Sequence, residues 1–198
     1  RPLLEAGAPL RARALPPDEA RMLRGFQFLS MKPILHCLNV AEADIGGRET
    51  LLAAVVEAAR RPDTRIGWVS AVLEAEVATL PSGEQRPFLE ALGLSESGRH
   101  RLIREAYALL RLASFFTIGD EEVRAWTIPA GASTLDAAGA VHSDMARGFI
   151  RAEVIDWAEL LEVGSLAEAR RRGVLRLEGK DYPVKDGEVC HFRFSVGR

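Results

Sequence analysis

Near Ala113 the spacing of apolar residues changes, and that change governs what this chain can fold into. Before it, apolar residues recur at helical spacing or in short continuous runs. After it, they recur in short alternating strands. A helix returns to the same face every third or fourth residue and a strand every second. The switch therefore marks a domain boundary near residue 113 in a chain of 198 residues, a length suited to one large or two small domains.

In the first part, Ile34-Leu35-His36-Cys37-Leu38-Asn39 is a continuous apolar run that ends abruptly in a polar residue. Such a run predicts a strand covered on both faces, as in a parallel α/β sheet. A helix is expected over 51–61. A second buried strand, Arg65-Ile66-Gly67-Trp68-Val69, runs into Ser70-Ala71, with a helix over 72–80. The order is β-α-β-α, and in such sheets functional residues gather at the carboxyl ends of strands, where Asn39 and Ser70 fall.

Upstream, residues 1–15 read as a loose segment rich in Pro, Gly, Ala and Arg. Pro16-Pro17-Asp18-Glu19 then starts a helix, its acidic residues meeting the positive end of the helix dipole. That helix carries Met22, Phe26 and Leu29 on one face until Lys32-Pro33 stops it. Downstream, a helix over 85–92 precedes one capped by Ser95-Glu96-Ser97. The second helix keeps Leu102, Ile103, Ala106, Leu109 and Leu110 at helical spacing to about residue 112 and packs back on the sheet.

Past the switch, strands over 114–118 and 122–128 flank Gly119-Asp120, a hairpin turn. Val123, Ala125 and Thr127 face one way, with Arg124, Trp126 and Ile128 the other. A short alanine-rich helix over 133–139 follows. Then come a strand over 148–155, a helix over 165–172 capped by Ser165, and strands over 180–184 and 189–196 joined through Asp186-Gly187. The expected unit is a small mixed sheet with one or two helices.

A hydrophobic fraction of 47% supplies a core and excludes wholesale disorder. A net charge of -2 gives no bulk attraction to nucleic acid or an anionic membrane, so any such contact needs a local basic patch. Two cysteines exclude a disulfide framework; Cys37 and Cys190 lie in apolar strand-like runs and read as buried thiols. With no signal-peptide pattern and no apolar run of ~20 residues, a soluble, reducing compartment is expected. The chain opens at Arg1, without Met, and reads as part of a longer protein.

The chemistry concentrates in Asn39-Val40-Ala41-Glu42 after the first strand and Ser70-Ala71-Val72 after the second. Alone, Asn-x-x-Glu also fits an asparagine that ends a strand beside a solvated glutamate. His142 with Asp144 has no third partner at metal-ligand spacing and reads as a loop brace. His36 and His191 alternate within strands and read as structural. Trp126 suits either base stacking or a core position. Arg170-Arg171-Arg172, with Arg176 and Lys180, is a basic cluster: a solvated helix end, or a contact for RNA phosphates of the kind that weakens with salt.

These segments, in this order, resemble the YchF or Obg-like ATPase subfamily of Obg-related P-loop GTPases over essentially the whole chain. The resemblance rests on Lys32-Pro33, Asn39-Val40-Ala41-Glu42 and Ser70-Ala71-Val72-Leu73-Glu74-Ala75-Glu76. It continues through Phe115-Phe116-Thr117, Glu122-Val123-Arg124-Ala125-Trp126-Thr127-Ile128, His142-Ser143-Asp144 and Gly148-Phe149-Ile150-Arg151-Ala152-Glu153. It ends in Glu178-Gly179-Lys180-Asp181-Tyr182 and Asp186-Gly187.

The resemblance implies a cytoplasmic, ribosome-associated hydrolase that prefers ATP to GTP and uses Mg2+. It divides the chain into the end of a helical insertion (1–31), the second half of a P-loop G domain of α/β fold (32–112), and a TGS domain of α+β, ubiquitin-like β-grasp fold (113–198). Asn39, Val40 and Glu42 would form one base-recognition loop and Ser70, Ala71 and Val72 the other. GTPases of this class carry Asn-Lys-x-Asp in the first loop, where the Asp carboxylate accepts both hydrogens of the guanine edge. Here Val40 replaces the Lys and Glu42 the Asp. A longer carboxylate cannot occupy the same place, and adenine offers its ring-nitrogen acceptor there, so the departure permits adenine. A mismatched polar edge costs about 1–3 kcal/mol, enough to change preference ten-fold.

No G-x-x-x-x-G-K-[ST] loop occurs, and Gly46-Gly47-Arg48-Glu49-Thr50 is no substitute. This chain therefore lacks the phosphate lysine and the Mg2+-binding hydroxyl, which the resemblance puts upstream of Arg1, and by itself it is expected to hydrolyse nothing. Expected partners are nucleotide and the ribosome or its RNA, with neither membrane nor DNA. The alternative is a non-enzymatic module that binds RNA or protein through its TGS domain on an α/β scaffold.

Overall fold

Two strands running side by side frame the first of two units. The computed structural model describes residues 5–119 and 122–195, and the chain divides into Arg1–Leu110 and Arg111–Arg198. In the first unit, β1 (Ile34–Asn39) pairs in parallel with β2 (Thr64–Val69), in a register that matches Asn39 with Val69. Helices α1 (Pro17–Leu23) and α2 (Arg48–Ala59) precede β2. Helices α3 (Ala71–Thr79), α4 (Ser82–Ala91) and α5 (Gly98–Leu110) follow it.

The core of this unit gathers Val40, Ile45, Trp68, Leu73, Val77, Leu89 and Leu94. Helix α5 lies close against β2, and glycine makes the approach possible. A Cβ on Gly98 would stand 2.8 Å from the Val69 side chain and 3.1 Å from a Glu74 carboxylate oxygen. The start of α5 is fastened in two ways. The Glu74 carboxylate accepts from the N–H groups of Gly98 (2.6 Å) and Arg99 (3.2 Å), while Ser97 Oγ accepts from His100 N–H (3.3 Å). A carboxylate at this place satisfies donors that the helix itself leaves open, and it meets the positive end of the dipole.

Three expectations fail here. The predicted first helix stops at Leu23, because the 3-10 turn Arg24–Phe26 ends in a left-handed Gln27 (φ 52°). Met22, Phe26 and Leu29 consequently do not share one helix face, and they are 68–79% exposed. Nor is β1 covered on both faces. It belongs to a two-stranded sheet and carries no fully buried residue, and Cys37 is exposed where a buried thiol was expected.

The second unit is a five-stranded mixed sheet in the order β4-β3-β7-β5-β6. Its strands are β3 (Leu112–Ile118), β4 (Val123–Pro129), β5 (Phe149–Asp156), β6 (Arg176–Glu178) and β7 (Glu188–Phe194). Strands β3 and β7 run parallel; the other neighbours are antiparallel. One face buries Phe115, Ile128, Val154 and Phe192 with Ala137 and Ala138 of α6 (Thr134–Val141). The other buries Ile155 and Val189 with Leu160 of α8 (Trp157–Val163) and Ala169 of α9 (Leu166–Arg172). The short helix α7 (Ser143–Arg147) leads into β5. The mixed α/β class read from the sequence is the class the chain adopts.

Four helices accompany the sheet among the described residues, against one or two expected. The predicted strand over 180–184 is a turn instead. Thr134 N–H donates to Tyr182 O, Leu135 N–H to Lys180 O and Val184 N–H to Ala132 O, so its main chain bonds to the segment that opens α6. Strand β6 lies just before it. Asp120 of the predicted hairpin turn and Val196 of the predicted last strand lie outside the described residues.

Candidate base-binding loops

Because β1 and β2 are parallel and in register, the segments leaving their carboxyl ends emerge side by side. Val40 N–H donates to Val69 O (2.8 Å), which carries the pairing one residue past the strand. The Asn39 side chain then reaches across: its Oδ1 accepts from Ala71 N–H at 3.0 Å. That N–H is the first of α3 and has no partner within the helix. One asparagine thus ends its own strand and ties the two loops together.

Ser70 occupies the N-cap position of α3, where a serine oxygen commonly accepts from the helix's first turn. Here its side chain makes no such bond. Ser70 is 2% exposed, and its hydroxyl has no hydrogen-bond partner among the described residues. A buried, unpaired hydroxyl is costly, on the order of 1–3 kcal/mol. At this position it is a donor and acceptor already stripped of water.

The other four residues assigned to the loops divide between core and surface. Val40 is buried and packs with Ile45, Trp68 and Leu73. Glu42 is exposed and opens the 3-10 turn Glu42–Gly47. Ala71 and Val72 are exposed on the first turn of α3, with Val72 at 62%. Beside them Trp68 is flanked by two guanidinium groups, Arg101 at 3.7 Å and Arg48 at 5.1 Å from the ring centroid. Burial lowers the Arg101 pKa; Arg101 also donates to Trp68 O (3.3 Å). Stacked cations over indole stabilise the end of β2 by about 0.5–2 kcal/mol each.

Sequence reasoning missed this Arg–Trp–Arg stack and the Glu74 carboxylate that caps α5. Neither leaves a local signal: Glu74 and Gly98 are 24 residues apart, and Trp68 and Arg101 are 33 apart.

In the second unit the basic cluster is largely paired. Arg170 and Arg193 both bond the buried Glu153 carboxylate, Arg170 at 2.8 Å. Burial alone would raise the Glu153 pKa, but the two guanidinium groups outweigh it and hold the pKa below the ordinary carboxylate value. Arg171 and Arg172 bond Glu168, whose carboxyl is held at about 2 by them. Arg176 bonds the buried Glu188, which also accepts from Tyr182 OH (2.7 Å). Lys180 is exposed and forms no ion pair among the described residues.

Trp126 is half buried; its Nε1 donates to Thr117 Oγ1 (2.9 Å) and Arg124 lies over its ring at 4.3 Å. His142 Nδ1 accepts from Asp144 N–H (3.2 Å) at the start of α7. His36 is half buried and His191 exposed. Among the described residues, no group of three or more His, Cys, Asp or Glu side chains is placed to hold a metal ion, and no helix is long and apolar enough to cross a membrane.

Known proteins resemble the chain throughout. The family model YchF-GTPase_C, described as a protein of unknown function (DUF933), matches residues 112–195. The Ribosome-binding ATPase YchF of Bacillus subtilis is 43% identical over 195 residues, which is 97% of this chain and 53% of that protein. The protein of the same name from Pasteurella multocida is 43% identical over 98% of this chain and 53% of its own length. The chain therefore spans about half the length of the curated relatives it matches. Among solved structures, the Schizosaccharomyces pombe YchF GTPase superposes with a TM-score of 0.77 at 24% identity, over 96% of this chain and 51% of that one. A GTP binding protein from Pyrococcus horikoshii gives 0.57 at 20% identity, over 84% and 47%. These two likenesses speak to fold.

Proposed function

Since the chain belongs to the YchF family, we propose that it is the C-terminal part of a ribosome-associated, cytoplasmic ATPase and supplies the base-recognition half of the nucleotide site. Residues 32–112 are then the second half of a G domain, 1–31 the end of its helical insertion, and 113–198 a TGS domain. The observation that carries the reading is the Asn39 Oδ1 to Ala71 N–H bond of 3.0 Å, which fixes two loops side by side at the carboxyl ends of parallel strands. Beside it, the Ser70 hydroxyl is unpaired and closed to solvent; a loop movement that opened it to a nucleobase edge would satisfy a polar group the fold leaves without a partner.

Val40, Ala71 and Val72 shape the two loops around that edge. Glu42, one methylene longer than the aspartate of guanine-selective loops, favours ATP over GTP. Mg2+ and the phosphates belong to residues this chain does not contain, since it has no phosphate-binding loop. The bound cation supplies charge neutralisation at the phosphates. The residues here bind and orient the base, and by itself this chain turns over no nucleotide. Ribosome contact falls to the second unit through Arg170, Arg171, Arg172, Arg176 and Lys180. The arginines are paired but remain partly exposed, and Lys180 forms no ion pair among the described residues.

Replacing Asn39 with Ala in the full-length protein tests the loop assignment. It removes the tie between the loops, and ATP affinity should fall about ten-fold, the equivalent of one polar contact. Unchanged affinity by equilibrium titration would overturn the assignment.

A further inference from the structure

Helices α3, α4 and α5 surround a cavity of about 740 Å3. Small-molecule sites span roughly 300–1,000 Å3 and are mostly apolar with a few placed polar groups. This cavity has that character. Val69, Val77, Leu89 and Leu102 form an apolar floor, and Ile103 stands half exposed at the rim. None of the six residues of the two base loops lines it.

The state of its charged side chains decides what it would accept. Glu74 is engaged with the first N–H groups of α5. Glu96 takes both arms of the Arg104 guanidinium, at 2.6 and 2.8 Å. Arg86 pairs with Glu90 at 2.8 Å. The Arg99 guanidinium and the His100 imidazole also line the cavity, and among the described residues neither side chain has a partner. An apolar floor with two uncommitted basic groups on one rim is complementary to a ligand with an apolar body and one anionic end. Charge-assisted bonds from an Arg to a carboxylate or phosphate are roughly twice as strong as neutral ones.

We propose that this cavity binds a small anionic amphiphile, its apolar body on Val77, Leu89 and Leu102 and its single carboxylate or phosphate held by Arg99 and His100. The site stands apart from the nucleotide reading, because it asks for neither a base nor a phosphate chain.

Calorimetric titration of the full-length protein with octanoate, octyl phosphate and 1-octanol tests it. At least one of the two anions binds saturably and about ten-fold more tightly than octanol, and comparison of the two shows which headgroup is preferred. The double variant R99Q/H100Q alters two exposed side chains. It brings the anions down to the affinity of octanol with the melting temperature unchanged. Ile103→Trp, a substitution at the rim, weakens all three probes. Equal binding of octanol and the anions, anion binding untouched by R99Q/H100Q or by Ile103→Trp, or no saturable binding of any probe would each overturn the proposal.

Discussion

Asn39 and Ser70 carry opposite local costs, and together they define the candidate site. Asn39 satisfies a donor of α3 from another strand, while Ser70, at the cap position made for that task, leaves its own hydroxyl unpaired and buried. The two cysteines show the same dependence on neighbours. Burial pushes the Cys190 thiol up to about 12, so no appreciable thiolate exists there near neutral pH. Cys37 is exposed on a strand with a partner on one side only. With Ellman's reagent at pH 8, one thiol per chain should react in the native protein and two in denaturant. Two fast-reacting thiols in the native state would contradict this burial. Their neighbouring residues looked alike in the sequence, since each sits in an apolar run. What separated them was the number of strands and helices packed alongside, which one run of residues does not encode.

At the scale of elements, the strongly periodic segments were legible, and short ones such as α9, predicted over 165–172, were legible where a cap residue was read. Strand β1 occupies the residues its apolar run predicts, and β2 begins one residue early. Helix α8 went unread although its ends are marked: Asp156 accepts from Ala158 N–H (2.8 Å) and Gly164 closes it in the left-handed region. Seven residues are too few for periodicity to speak, so the caps were the only signal. The turn at 180–184 was misread because its alternation looks like a strand, while its hydrogen bonds go to the opening of α6. Gly148 illustrates a constraint of another kind. A Cβ there would collide with the main chain of Ser195, whose N–H donates to Gly148 O at 2.9 Å. Gly148→Ala forces two backbones apart and should destabilise the second unit by about 1–3 kcal/mol, read as a lower urea midpoint. An unchanged midpoint would mean the contact yields without cost.

For the whole molecule, the placement of Asn39 and Ser70 at the carboxyl ends of neighbouring parallel strands was legible, because each ends an apolar run in a polar residue. The features that give them substance needed the fold: the bond between loops, the orphan hydroxyl, and the Arg–Trp–Arg stack. The basic cluster went the other way, since five cations close in sequence become four paired arginines and one open lysine. The central claim is that this chain supplies the base half of an ATP site, and Ser70→Ala in the full-length protein tests it most directly. Removing an unpaired buried hydroxyl holds or raises the melting temperature. If that hydroxyl meets the base, ATP affinity falls about ten-fold in the same variant. A stable Ser70→Ala protein that binds ATP as tightly as the parent would contradict the account.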